Sequence, residues 1–479
     1  MKIKLIILLS LPLFIFSSCS SDDDGITKPD PKSPTYVNDW IYEQMGMYYL
    51  WNETLPSNPD KSLSPDKFFD ALLNKSDRFS WIQDNYLDLM SSLSGVNSGD
   101  VGFEYIAGYL ISDDPNLIVG QVAYVKPNTP AQAAGLKRGD LFTMVDGVNL
   151  NAINWRTLLS GQNSTVQITF VDSSLKNPTN KTIQKVSKYA ENPVYLDSTY
   201  TVANKKIGYL VYNFFANDNG SGDKQYDLEL NKVFAGFKSK GITDLVLDLR
   251  YNNGGSMLSG VILSSLIVPD LSTDKVFSSV QFNSLYQAAY VKKYGAGSLT
   301  DKFMDKIEVN KTKQEKLNNP GSIKSLYVLT SGWTASASEM LINGLKPYMN
   351  VYLIGTTTVG KNVGSYTIYD EENSSTNKWG MQPIVLKYFN SNGTSDFEKG
   401  FIPDEELNDN NVHKFALGDL KEVMLQKAIE KITGMTSVRN VQTDAKLLQP
   451  QGSSIQRKPW SNKGIVDNRV MIPINDLQE

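Results

Sequence analysis

The sequence predicts a multidomain α/β protein: a helical N-terminal region, a strand-rich middle, and a larger domain on a mostly parallel sheet. Three observations carry this. Val37, Trp40, Ile41, Met45 and Tyr48 recur at helical spacing. Between Gly99 and Ser187, "IVGQVAYV", "LFTMVDG" and "TVQITFV" are enriched in Val, Ile, Phe and Thr, as strands are. From Lys206 onward, strand-like and helix-like segments alternate, and such a βαβ succession builds a parallel sheet with helices packed outside it.

The elements divide the chain into 1–18, a secretion signal; 19–34, a linker; 35–88, the helical region; 89–190, the strand-rich domain; 191–420, the large domain; and 421–479, a late helix and polar tail. The signal has Lys2 and Lys4 ahead of an apolar run, Leu5 to Phe16, that is too short to span a membrane, which takes about 20 residues. Its end, "FSSC", resembles a bacterial lipoprotein cleavage box, which implies a lipid on Cys19, attachment to a membrane and a place in the cell envelope. The acidic "SSDDD" that follows resembles the surface-export tether of Bacteroides-group lipoproteins, implying an outer-membrane protein that can face outward.

Composition narrows the chemistry. A net charge of −4 gives no general affinity for polyanions, so nucleic acid is not an expected partner. A single cysteine rules out an internal disulfide framework and any multi-cysteine metal site, and no metal or cofactor is expected. The single histidine, His413, lies in a polar connection, so a hydrolase here has to draw its base from another residue type.

In the middle domain, "KPNTPAQAAGLKRGDLFTMVDG" (Lys126 to Gly147) reads as a short helix, a glycine turn and a strand ending in Asp-Gly. The string resembles the PDZ domains of bacterial proteases. That resemblance implies capture of peptide C-termini by strand addition, with Val101, Gly102 and Phe103 of "GDVGFEY" as the carboxylate-binding loop.

Three turns of the large domain follow predicted strands, where sites in parallel sheets lie: "YNNGG", "GWTASASE" and "TTTVGKN". Gly355 to Lys361 spells G-x-x-x-x-G-K, but Asn362 replaces the hydroxyl of a phosphate loop and a strand follows instead of a helix, so a nucleotide is not expected. Ser336 starts a helix and forms a capping-box pattern with Glu339. A serine hydroxyl needs a base to act as a nucleophile. Burial disfavours a charged lysine by up to about 3–5 pKa units, which suits Lys361 to that task. Backbone N–H groups of Ala337 and of the Gly254-Gly255 pair are candidates to hold a tetrahedral oxyanion.

Together, "TASASE", "VLDLRYNNGG" and "GTTTVGK" resemble the signatures of C-terminal processing peptidases, the tail-specific proteases. The resemblance implies a crotonase-like ββα superhelix for the catalytic domain, Ser336 as nucleophile, Lys361 as general base, and Gly254 as the oxyanion amide with Gly255 as its close competitor. It also implies a serine endopeptidase acting on proteins with apolar C-termini. Many members carry glutamine four residues after the lysine to orient it; here the residue is Ser365, shorter by two bonds' reach, and a base-orienting candidate only. Two other readings stand beside this one: a catalytically inactive surface protein that binds peptides through its PDZ domain, and an acyl-CoA enzyme on the same fold.

Overall fold

The computed structural model describes residues 30–435, except 95, 98, 111–116 and 160–162, and then 447–455, 465–466 and 471–472. The signal segment and Cys19 lie outside the described residues. Among the described residues, no helix is long and apolar enough to cross a membrane.

The helical spacing near the start is realised as α1 (Pro34–Tyr48), which buries Val37, Trp40, Ile41, Met45 and Tyr48. Ser33 caps it by accepting the Tyr36 N–H, and Pro34 sits at its first turn, where a missing N–H costs no hydrogen bond. α2 (Pro65–Leu72) and α3 (Tyr86–Leu93) follow. This region is too small to bury a core of its own. Its Tyr49, Phe68 and Phe69 instead join one cluster with Leu247, Leu326 and Leu341 of the large domain.

The middle domain is a sheet of β1 (Phe103–Leu110), β2 (Ile118–Val125), β3 (Leu141–Val145), β4 (Thr165–Val171) and β5 (Thr179–Gln184), with α4 (Pro130–Ala133) between β2 and β3. The anticipated turn chemistry is present. Thr129 caps α4, Gly135 leaves it at φ +72°, and Asp146-Gly147, both at positive φ, make the hairpin after β3.

The large domain runs β6 (Val194–Val202), β7 (Lys205–Tyr212), α5 (Gln225–Lys240), β8 (Asp244–Asp248), α6 (Met257–Ile267), β9 (Val276–Phe282), β10 (Thr300–Lys302), β11 (Ser325–Thr330), α7 (Ala337–Leu345), β12 (Asn350–Gly355), β13 (Val363–Ser365), β14 (Ile384–Asn390), β15 (Glu405–Glu406) and α8 (Val423–Thr433). Its main sheet has the order β6-β7-β8-β11-β12-β15; β6 and β7 are antiparallel and the rest parallel. Every residue of β8 is buried, as expected for a strand covered on both faces.

The polar tail, which had no assigned place, is built into two sheets. β16 (Leu448–Ser453) adds antiparallel to the outer edge of β1. β17 (Ile465–Val466) pairs with β13, in a second sheet of order β10-β9-β14-β13-β17.

Candidate active site

β8, β11 and β12 are neighbours in register, Asp248 beside Leu329 and Leu329 beside Ile354. Their C-terminal ends therefore release the three singled-out turns side by side. Hydrogen bonds then lock the turns to one another. Ala335 N–H donates to Asn252 O (3.1 Å), and Val359 N–H to Thr334 O (3.0 Å). Thr334 Oγ1 donates to Leu249 O (2.8 Å) and Ser338 Oγ to Asn252 O (3.2 Å), so both hydroxyls serve turn geometry.

Ser336 is fully buried at the N-cap of α7, with φ +64° and ψ −117°. A residue with a Cβ pays strain of order 1–3 kcal/mol there, and such strain clusters at functional sites. Lys361 is equally buried, on the turn after β12. One carboxylate joins them. Glu339 Oε2 accepts the backbone N–H of Ser336 (2.9 Å) and of Lys361 (2.8 Å), while Oε1 accepts Gly360 N–H (2.7 Å) and Thr358 Oγ1–H (2.5 Å). Burial raises the Glu339 carboxyl above its ordinary range, and these four donors oppose that rise. Ser336 Oγ makes no hydrogen bond to Lys361 Nζ; the link between the two residues is Glu339, which holds both backbones.

Lys361 Nζ lies 4.4 Å from the centroid of the Phe79 ring, which comes from the helical region. Phe79 packs with Val363 and Ile384. Arg78 beside it donates to Gly360 O (2.8 Å), and Asp77 Oδ1 accepts Phe79 N–H (2.9 Å), so the Phe79 loop and the lysine turn are fastened together. Ser365 Oγ donates to Gln382 Oε1 (2.7 Å), a buried partner on a neighbouring segment.

Gly254 and Gly255 have φ +102° and +132°. A Cβ on Gly254 would come within 2.5 Å of Ser336 Cβ and 3.0 Å of Ala337 N, so glycine keeps open the space between the serine and the start of α7. A Cβ on Gly255 would meet Phe215 O at 2.1 Å, so that glycine lies against the segment after β7, where the two residues form an isolated bridge. Gly254 N–H donates to Asn252 Oδ1 (2.8 Å).

Farther out, Arg250, at the root of the same turn, binds Glu422 through both terminal nitrogens (2.7 and 3.0 Å) and shares Asp409 with Arg138 of the middle domain. His413 is exposed, and Asp404 Oδ2 accepts Leu353 N–H (2.8 Å) in a purely structural contact. In the middle domain, Val101 and Phe103 are buried, and Gly102, at φ +82°, donates its N–H to Asp100 Oδ1 (2.7 Å). The S-x-x-E pattern marks Glu339 only as a helix cap, and nothing in the sequence around Phe79, Arg78 or Gln382 signals a site role.

The family profile of peptidase family S41 matches residues 206–407, the profile of its N-terminal domain residues 36–81, and a PDZ-domain profile residues 121–171. The chain belongs to peptidase family S41. It is 25% identical over 358 residues to a carboxyl-terminal-processing protease of Picosynechococcus sp., covering 73% of this chain and 74% of that protein. It is also 25% identical over 331 residues to the carboxy-terminal processing protease CtpA of Bacillus subtilis, covering 66% and 59%. A crystal structure from Bacteroides fragilis assigned to the S41 proteases superimposes with a TM-score of 0.66 at 26% identity, covering 83% of this chain and 98% of that one. This S41 peptidase is thus a serine-type hydrolase with the family's N-terminal helical region and a PDZ domain, as expected.

Proposed function

We propose that this S41 peptidase cleaves polypeptide substrates through Ser336 and Lys361, with the PDZ domain engaging an extended stretch of the substrate by strand addition. The observation that carries this reading is the single Glu339 carboxylate oxygen that holds the backbone of both residues. Neutral Lys361 Nζ takes the Ser336 Oγ proton as Oγ bonds to the scissile carbonyl carbon. Ala337 N–H, at the start of α7, is the proposed oxyanion donor, a choice over Gly254 supported by the Gly254 N–H bond to Asn252 Oδ1. Collapse breaks the C–N bond, and the lysine returns its proton to the departing amine. Lys361 Nζ then takes a proton from water as its oxygen bonds to the acyl carbon, the C–Oγ bond breaks, and Nζ passes that proton to Ser336 Oγ.

Burial of a lysine disfavours its ammonium form, and the Phe79 ring beside Nζ favours it. The proposed step draws on the neutral amine as base. Phe79→Ala admits water beside Nζ and favours the charged form, so the alkaline-going rise of kcat is expected to move to higher pH, with kcat near pH 7 falling about tenfold. An unmoved pH profile would show that the ring does not keep the amine dry.

A serine-directed phosphonate tests the nucleophile directly: mass spectrometry should place the adduct on Ser336, and labelling elsewhere with Ser336 untouched rejects the assignment. We also propose lipid attachment at Cys19 and residence in the outer membrane, supported by the apolar run and the small residues ahead of that cysteine. Cys19→Ser expressed in the native host should leave the membrane fraction and lose incorporation of labelled fatty acid. Unchanged membrane residence of that variant contradicts the anchor.

A further inference from the structure

The edge of β1, where a PDZ domain adds a peptide strand, is already filled in this chain. Leu448 pairs with Leu110, Gln449 with Tyr109, Pro450 with Gly108, Gly452 with Ala107 and Ser453 with Ile106. Ser454 continues the track: its N–H donates to Tyr105 O (2.9 Å), and its Oγ accepts Tyr105 N–H (2.8 Å). The segment runs antiparallel to β1 toward the Val101–Phe103 loop, the direction a bound peptide takes by strand addition.

Three features show that the seat is built for it. Gly108 lies mid-strand in β1, and a Cβ there would come within 2.3 Å of Gln449 O and 3.1 Å of the Leu448 side chain, its nearest neighbours among the described residues. Leu448 and Ile455 are 1% and 2% exposed and pack with Ile106, Leu110 and Tyr251, between the PDZ sheet and the peptidase domain. Asn253 Nδ2, on the turn that borders Ser336, reaches Ile455 O at 3.4 Å.

The loop itself is poorly suited to a free carboxylate. Its Gly102 N–H is taken by Asp100. Lys126 beside it is buried among Asp100, Glu104 (2.8 Å) and Glu191 (3.5 Å), and Ser454 Oγ donates to Glu104 Oε2 (2.5 Å). An arriving C-terminal carboxylate would meet these acids and leave buried charge unpaired, which costs several kcal/mol. An internal stretch of polypeptide brings no such charge.

We propose that residues 447–455 are the resident ligand of the PDZ edge, and that this edge takes an extended internal segment of polypeptide, without a terminal carboxylate, once the resident is displaced. The inference refines how substrates reach the proposed Ser336–Lys361 site and rests on that reading only for its consequence; binding at the edge is separable from cleavage.

The test uses the full chain carrying Ser336→Ala, so that no cleavage intrudes and failure of the dyad assignment cannot mimic failure here. A fluorescent peptide matching residues 447–455 is titrated in amidated and free-acid forms against this chain and against the same chain with Leu448→Asp, which ejects the resident strand. The expected result is at least tenfold tighter binding of the amidated peptide to the Leu448→Asp chain, with the free acid binding no better than the amide. Equal binding to both chains, no binding to a folded Leu448→Asp chain, or a preference for the free acid overturns the proposal. Should Leu448→Asp not fold, hydrogen exchange on the intact chain decides: the amides of this strand that donate to β1, that of Ser454 to Tyr105 O among them, should be protected as long as those of β2, and exchange at the rate of an open peptide refutes residence.

Discussion

Lys361→Ala is expected to reduce kcat on a denatured protein substrate by a factor on the order of 10⁴–10⁶, the scale on which removal of a nucleophile or its base acts in other serine hydrolases. Ser336→Ala should match it, and the double variant should be no worse than either single one, because the two groups act on one proton. Lys361→Arg sharpens the result. A guanidinium stays protonated and offers no lone pair, so it should restore the positive charge without restoring turnover. Stopped-assay kcat for the four chains, each checked for folding by circular dichroism, reads this out. Near-normal turnover by any single variant would dismiss the serine–lysine assignment. Rescue by arginine would make the lysine a charge donor and not a base.

The second large effect is expected from Glu339→Gln. Four donors converge on this carboxylate, from Ser336, Thr358, Gly360 and Lys361. A glutamine keeps one acceptor oxygen and turns an NH₂ toward two of these four donors, leaving buried donors unsatisfied at about 1–3 kcal/mol each. A loss of roughly 2–5 kcal/mol in stability and at least about 100-fold in kcat should follow, the latter because small misplacement of reacting groups is costly. Stability should also respond to pH in a defined direction. Since burial raises the Glu339 carboxyl in the folded chain, folding takes up a proton between its ordinary range and its raised value. Stability contributed by this group therefore falls as pH climbs through that window, and Glu339→Gln removes the slope. Calorimetry across acidic pH measures both. A variant with wild-type kcat would show that Glu339 is a helix cap and nothing more.

Much of this arrangement was legible in the residues. Helical spacing located α1, and the apolar runs located β8 and β11, because burial on one face or both imposes those periods directly. The order of elements alone places the three turns at one end of a parallel sheet, since βαβ units deliver consecutive turns to the same side. Glu339 was visible but underread: the S-x-x-E pattern that marks a cap does not say that the carboxylate also collects N–H groups from a turn more than twenty residues on. Phe79 and Gln382 gave no local signal, because each touches the site through a contact far away in the chain, and periodicity reports only on neighbours. The tail was opaque for a similar reason. Its proline, glycine and serine content resembles a loop, and only pairing with β1 makes it a strand.

That pairing has a temporal side. Tyr105 and Ser454 are 349 positions apart, so the last strand of the PDZ sheet emerges from the ribosome, or from a translocation pore, long after the first. Loop closure over such a span is entropically slow, and contacts of this separation form late. A growing chain would thus carry an unsealed β1 edge through most of its synthesis, and the serine turn would exist in a molecule whose β16 had yet to arrive. The order of manufacture, rather than any cleavage event, then sets when this peptidase becomes a finished article.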